Sequence, residues 1–135
     1  MILVGETIGP LIGGPVTRQL LVEYAGASGD SNPLHLDIDY ARAAGRDDVI
    51  AHGMLTMAWL SRMLVERFDP GALCRLETRF LAPTPVHATV RCLGQVTTVE
   101  RKGDLTLVGI DLRAELDDGT ISACGTAECV IPSED

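Results

Sequence analysis

The chain has 135 residues, room for one ordinary domain and not for two. Its residues are 46% hydrophobic and 22% charged, which fits a packed core and excludes the composition of a disordered chain. A net charge of −8 excludes the dense basic surface that nucleic-acid binding requires.

No run approaches the ~20 apolar residues of a membrane span. The opening MILVGETIGP has neither the basic start nor the long apolar stretch of a secretory signal, so a cytoplasmic protein is expected. Cys74, Cys92, Cys124 and Cys129 lack CxxC spacing, and the 3 histidines form no HExxH motif. No metal site is expected, and the cysteines read as reduced, packed as small apolar residues.

In chain order, the first helix follows Thr17, which is its N-cap, with Gly26 or Gly29 ending it. The run GASGDSNPLHLDI crowds Gly, Ser, Asp, Asn and Pro together, and Pro33 turns Asn32 away from helical geometry, so it reads as a structured loop. A brief helical turn is expected at 40–44, closed by Gly45. After Gly53, MLTMAWLSRMLVERF is apolar nearly all round, the mark of a buried helix, and Asp69-Pro70-Gly71 stops it. From Arg75 onward, RLETRFL, VHATVRCLGQVTTVERK, LTLVGIDLRAEL and TISACGTAECVI read as strands, with turns at Gly103-Asp104 and Asp117-Asp118-Gly119. One apolar helix followed by an antiparallel meander predicts an α+β fold. A single hot-dog domain over 1–135, its sheet wrapped around one buried central helix, is the best-known form.

Chemistry is concentrated at Asp30, His35 and His52-Gly53. A turn at Asn32-Pro33 separates the carboxylate from the imidazole, and such a turn can aim both at one point, where they would hold a water as general base and acid; on the pair alone, a turn-forming Asp beside a solvated His is the commoner arrangement. His52-Gly53 opens the long helix with no Ser, Thr, Asp or Asn at the cap position. The first helical N–H groups then lack a side-chain cap and carry positive partial charge; either water or a neighbouring strand satisfies them, or they suit a thioester carbonyl turning enolate-like. Gly53 lets a ligand approach the backbone.

Tyr24, Ser28-Gly29-Asp30, Asn32-Pro33-Leu34-His35 and Ala51-His52-Gly53 together resemble the hydratase-2 signature of MaoC-like enoyl-thioester hydratases, over about a quarter of the chain. The segment VTRQLLVEYAGASGD also resembles the catalytic subunit of the hydroxyacyl-carrier-protein dehydratases of actinobacterial fatty acid elongation. The resemblance implies a hot-dog fold, usually assembled as a dimer, and R-specific syn addition or removal of water. It assigns Asp30 to take a proton from water, His35 to hold that water and deliver a proton to Cα, and the Gly53 N–H to bind the thioester oxygen. Ser28 and Asn32 shape the loop, and His52 supports it. The implied substrate is an enoyl or 3-hydroxyacyl thioester on coenzyme A or an acyl carrier protein, with no separate cofactor. Arg42, Arg46 and Arg75 are candidates for contact with an acidic carrier protein. Met54, Met57, Trp59 and Leu60 are those expected to line or shorten an acyl tunnel. A homodimer is the first expectation, and a heterodimer with a second hot-dog subunit the alternative. One departure stands out: where many relatives carry Pro-Val-x-Pro-Gly-Asp, this chain reads RFLAPTPVHATV, with His87 and Ala88 near the Gly-Asp place.

Rival functions are weaker. Hot-dog thioesterases and the other carrier-protein dehydratases use an acid within the central helix, and none lies between Met54 and Val65; Glu66 comes in its last turn. A non-catalytic acyl-binding subunit of a heterodimer would be expected to have lost Asp30 or His35. A phosphate loop at GASGDSNP would need a Lys that the region lacks.

Overall fold

The computed structural model describes all 135 residues. Its first strand, β1 (Thr7–Gly13), has no counterpart in the sequence reading, because Gly9, Pro10 and Gly13 disguise it. It survives as an edge strand with a register shift between Ile8 and Leu11, where a proline costs no ladder hydrogen bond. The helix α1 (Arg18–Ser28) follows as expected. Thr17 is extended and accepts the Leu20 N–H at 3.0 Å, and Gly29 closes the helix at φ 77.

The second helix, α2 (Ile38–Ala43), starts two residues before the expected turn, because the Asp37 carboxylate accepts the N–H groups of Asp39 and Tyr40. The long helix α3 (Gly53–Phe68) ends at Asp69, and four strands follow: β2 (Leu73–Phe80), β3 (Val90–Lys102), β4 (Leu105–Leu116) and β5 (Ile121–Pro132). All pairings are antiparallel, and the sheet order is β1-β3-β4-β5-β2, which leaves β1 and β2 as edges.

The helix lies against the sheet with Leu60, Met63, Leu64 and Phe68 in a core of 19 buried residues. A second, smaller cluster joins Leu55 to Val16 and Leu21 of the α1 region and to Val49 and Val86. Trp59 touches both clusters, its ring pressed on Gly13 where no Cβ would fit. Full burial of α3, expected from its composition, does not hold. Met54 is 54% exposed, and Ala58 and Arg62 continue an open stripe, since sheet and overlying helices cover only two sides. The cysteines divide likewise: Cys92 and Cys129 are buried, Cys124 is half-buried and Cys74 exposed, all as free thiols. No helix is long and apolar enough to cross a membrane.

Candidate active site

The loop after α1 is held by three successive side-chain-to-backbone hydrogen bonds. Ser28 Oγ accepts the Asp30 N–H at 3.2 Å, Asp30 Oδ1 accepts the Asn32 N–H at 3.2 Å, and Asn32 Oδ1 accepts the Leu34 N–H at 3.0 Å. Short polar side chains that bond the backbone two residues on are what bend a chain this tightly. The last bond caps a single 3-10 turn, Pro33–His35, which the sequence reading did not separate from the loop. Ser28 and Asn32 therefore fasten the loop, and neither lines the adjoining cavity.

This bend leaves Asp30 Oδ2 facing His35 Nε2 at 3.9 Å. That separation exceeds a direct hydrogen bond but suits one water bonded to both groups. The imidazole is oriented from behind, where Nδ1 donates to the Ile50 carbonyl at 2.7 Å. With Nδ1–H so fixed, Nε2 is the nitrogen turned toward Asp30. The carboxyl is about half exposed, whereas the His35 side chain is nearly buried.

His52, 1% exposed, holds the bend from below. Its Nε2 donates to the Asp30 carbonyl at 2.9 Å, its ring stacks on His35 with centroids 3.9 Å apart, and Tyr24 meets it edge-on at 4.8 Å. The His52 Nδ1 is consequently a bare acceptor, buried with no partner. Burial, then the charge of Asp30, pushes the Tyr24 phenol above its ordinary range. Ligand atoms of Asp30, His35 and His52 lie within 4.8 Å of one another. Rings stacked at 25°, however, send their lone pairs alongside one another, away from the convergence at ~2.1 Å that zinc requires. The arrangement suits a hydrogen-bonded water better than an ion.

Gly53 begins α3 directly beside this group. His52 at the cap position gives no side-chain hydrogen bond, and the Gly53 N–H has no backbone partner. A cavity of about 330 Å³ reaches both His35 and Gly53; Thr56 and Ser122 lie at its depth, and Arg46 and Phe80 at its mouth. The Phe80 ring covers Gly53 so closely that a Cβ there would lie 3.2 Å from it. Phe80, Thr56 and Ser122 were not foreseen as site residues, since the ends of β2 and β5 meet α3 only in the fold. Of the three arginines singled out, Arg46 alone reaches the cavity. Arg42 donates to the Asp47 carbonyl, and Arg75 pairs with Glu77 at 2.6 Å. Glu66, the sole carboxylate in the body of α3, is exposed and bound to Arg62 at 2.8 Å. His87 is exposed at φ 74, beside a separate groove that shares Arg46.

Residues 3–115 match the family described as MaoC like domain. The 3-hydroxyacyl-thioester dehydratase Z of Mycobacterium tuberculosis is 28% identical over 134 residues, covering 94% of this chain and 88% of the relative. Among solved structures, the unliganded R-hydratase PhaJ1 from Pseudomonas aeruginosa superposes with a TM-score of 0.86 at 27% identity, over 98% of this chain and 84% of the other. The ChsH1-ChsH2 complex of M. tuberculosis shares the fold at a TM-score of 0.83 and 21% identity, over 97% and 99%.

Proposed function

Since the chain belongs to the MaoC-like domain family, we propose that it adds water reversibly to a trans-2-enoyl thioester, giving the (R)-3-hydroxyacyl thioester, through Asp30 and His35. The observation that carries this reading is that His35, whose Nε2 stands 3.9 Å from Asp30 Oδ2, lines the same cavity as Gly53, whose N–H has no backbone partner.

The steps follow from the facing of Asp30 and His35 and from the uncapped start of α3. Asp30 acts as carboxylate and His35 as imidazolium, with a water bonded to both. The water oxygen forms a bond to C3 while its proton passes to Asp30. The π pair moves through C2 and C1 onto the thioester oxygen, where the Gly53 N–H and the positive end of α3 stabilise the charge. The enolate then collapses and C2 takes the Nε2 proton of His35. Asp30 ends protonated and His35 neutral, so net charge on the pair is conserved, and the next water returns the proton between them. Dehydration reverses each step. His52 supports the pair by bonding the Asp30 carbonyl and stacking on His35.

The same reading takes the carrier, coenzyme A or an acyl carrier protein, to leave through the mouth at Arg46 and Phe80, and needs no further cofactor. It pairs two hot-dog domains along β2, an edge of eight residues without proline, whereas the β1 edge is broken by Pro10 and its register shift. A homodimer is proposed first. A hetero-pair remains the second arrangement, because the fold occurs in a two-component complex in ChsH1-ChsH2. The non-catalytic reading is disfavoured because both reacting side chains are present and aligned.

The test is loss of enoyl absorbance on adding the protein to crotonyl-CoA, with Asp30→Asn as control. The variant should lose at least ~10²-fold in kcat and keep its thermal midpoint. Equal turnover in wild type and variant would sink the assignment.

A further inference from the structure

We infer that the cavity beside Asp30 and His35 takes a short acyl chain, about four carbons including the thioester carbonyl, and that Thr56 and Leu60 set its depth. This rests on the hydratase reading of the same site. Measured along α3, Thr56 stands three residues from Gly53, a rise of about 4.5 Å. Helical side chains also lean toward the N-terminus, which brings Thr56 closer still to the thioester oxygen. Carbon–carbon bonds of ~1.5 Å leave room for roughly three of them beyond the carbonyl.

The facing wall does not yield. Ser122 is 2% exposed, and its hydroxyl is tied to the Ala114 carbonyl at 3.3 Å. One helical turn beyond Thr56, Leu60 is wholly buried, and Met63 and Leu64 close behind it in the core that includes Ala123 and Ala127. Close-packed interiors hold few voids larger than a water, so a longer chain must displace Leu60. A path around the helix is blocked as well, by the Trp59 ring pressed on Gly13. Only the mouth is open, where Arg46, Phe80 and Leu81 are exposed, and that is the exit for the carrier arm.

The experiment uses the wild-type protein in its solution assembly. kcat/KM is measured for trans-2-enoyl-CoA thioesters of four, six, eight and twelve carbons. Calorimetry in parallel compares binding of the saturated butyryl- and octanoyl-CoA, which requires no turnover. The four-carbon substrate should be best, with a loss of at least about tenfold by eight carbons in both readouts. Octanoyl-CoA bound as tightly as butyryl-CoA, or butyryl-CoA not bound at all, would overturn the depth assignment. Tight butyryl-CoA binding without hydration of any enoyl-CoA would instead sink the hydratase reading and leave the short pocket standing. Leu60→Ala should move the preference to longer chains. Because it empties a core position, its folding is checked by thermal unfolding, and Thr56→Ala, a smaller change, should shift the preference in the same direction. A folded variant of either kind with an unchanged length preference would overturn the role given to that residue.

Discussion

Replacing Gly53 by Ala separates the chemistry of this site from its stability. Gly53 is not among the residues at positive φ, so an alanine meets no backbone strain there. Helix propensity favours the change by at most about 1 kcal/mol, less at a first helical position than in the interior. Against this, the new methyl lies 3.2 Å from the Phe80 ring, which must give by a few tenths of an ångström. The ring is 49% exposed and has somewhere to go. Net stability should therefore change by less than about 1 kcal/mol. Activity responds differently. The methyl fills the space between the Phe80 ring and the helix start, through which the thioester oxygen must reach the Gly53 N–H. Loss of one such donor costs ~10²–10³ in kcat, about 3–4 kcal/mol of transition-state stabilisation. Because the charge on that oxygen grows as water adds, kcat should fall more than KM rises. Thermal unfolding and crotonyl-CoA kinetics on the same preparation make the comparison. A folded alanine variant with near wild-type kcat would refute the role of this N–H.

Other outcomes follow from the same geometry. The Arg18 hydrogen bond, then the Val49 N–H, holds the Asp48 carboxyl below its ordinary range. A depressed carboxyl contributes stability that is present above its unfolded value of ~3.9 and lost as pH falls through the folded one. The wild-type melting midpoint should therefore drop more than that of Asp48→Asn between pH 5 and 3, and parallel curves would contradict the pairing. Asp69 at φ 77, ψ 152 and His87 at φ 74 occupy backbone regions that favour glycine. Asp69→Gly and His87→Gly should each change stability by about 0 to +1 kcal/mol, strain relief outweighing added chain entropy, as read by denaturant midpoint. Mass in solution should show at least two chains, and a stable, active monomer would remove the β2 pairing.

Where sequence and structure agree, a local rule had no competitor. Thr17 and Gly29 bound α1 as N-cap and left-handed C-cap residues do, and the uncapped start of α3 was visible as the absence of Ser, Thr, Asp or Asn before Gly53. The loop from Ser28 to His35 was legible as a bend, because its polar side chains bond only locally. What stayed hidden depends on contacts distant along the chain. β1 is a strand because Val90–Gln95 pairs with it, not because its glycines and prolines favour extension. Thr56 and Ser122 face one cavity although 66 positions separate them in sequence. The open stripe on α3 contradicted a sound rule, since apolarity all round predicts burial only if something covers every side.

Local rules fail at the same end of the molecule where Asp30 and His35 face each other. An unpartnered helix-start N–H, a buried His52 nitrogen with no hydrogen bond, and exposed Phe80 and Leu81 lie around the cavity that His35 lines and the bend that holds Asp30. Each feature is unfavourable for a chain folding alone: an unmet donor, an unmet acceptor and apolar surface in water. In the proposed reaction the donor meets a thioester oxygen, and the apolar rim is suited to being covered by a carrier arm or a second domain. His52 differs, since nothing reaches its bare Nδ1 from the cavity, and its cost is offset by the bond that fixes the Asp30 carbonyl. Departures from local consistency concentrate where function requires them. The distribution here supports the proposed site at the Asp30 end of α3 over the larger hollow beside Glu77 and Asp111.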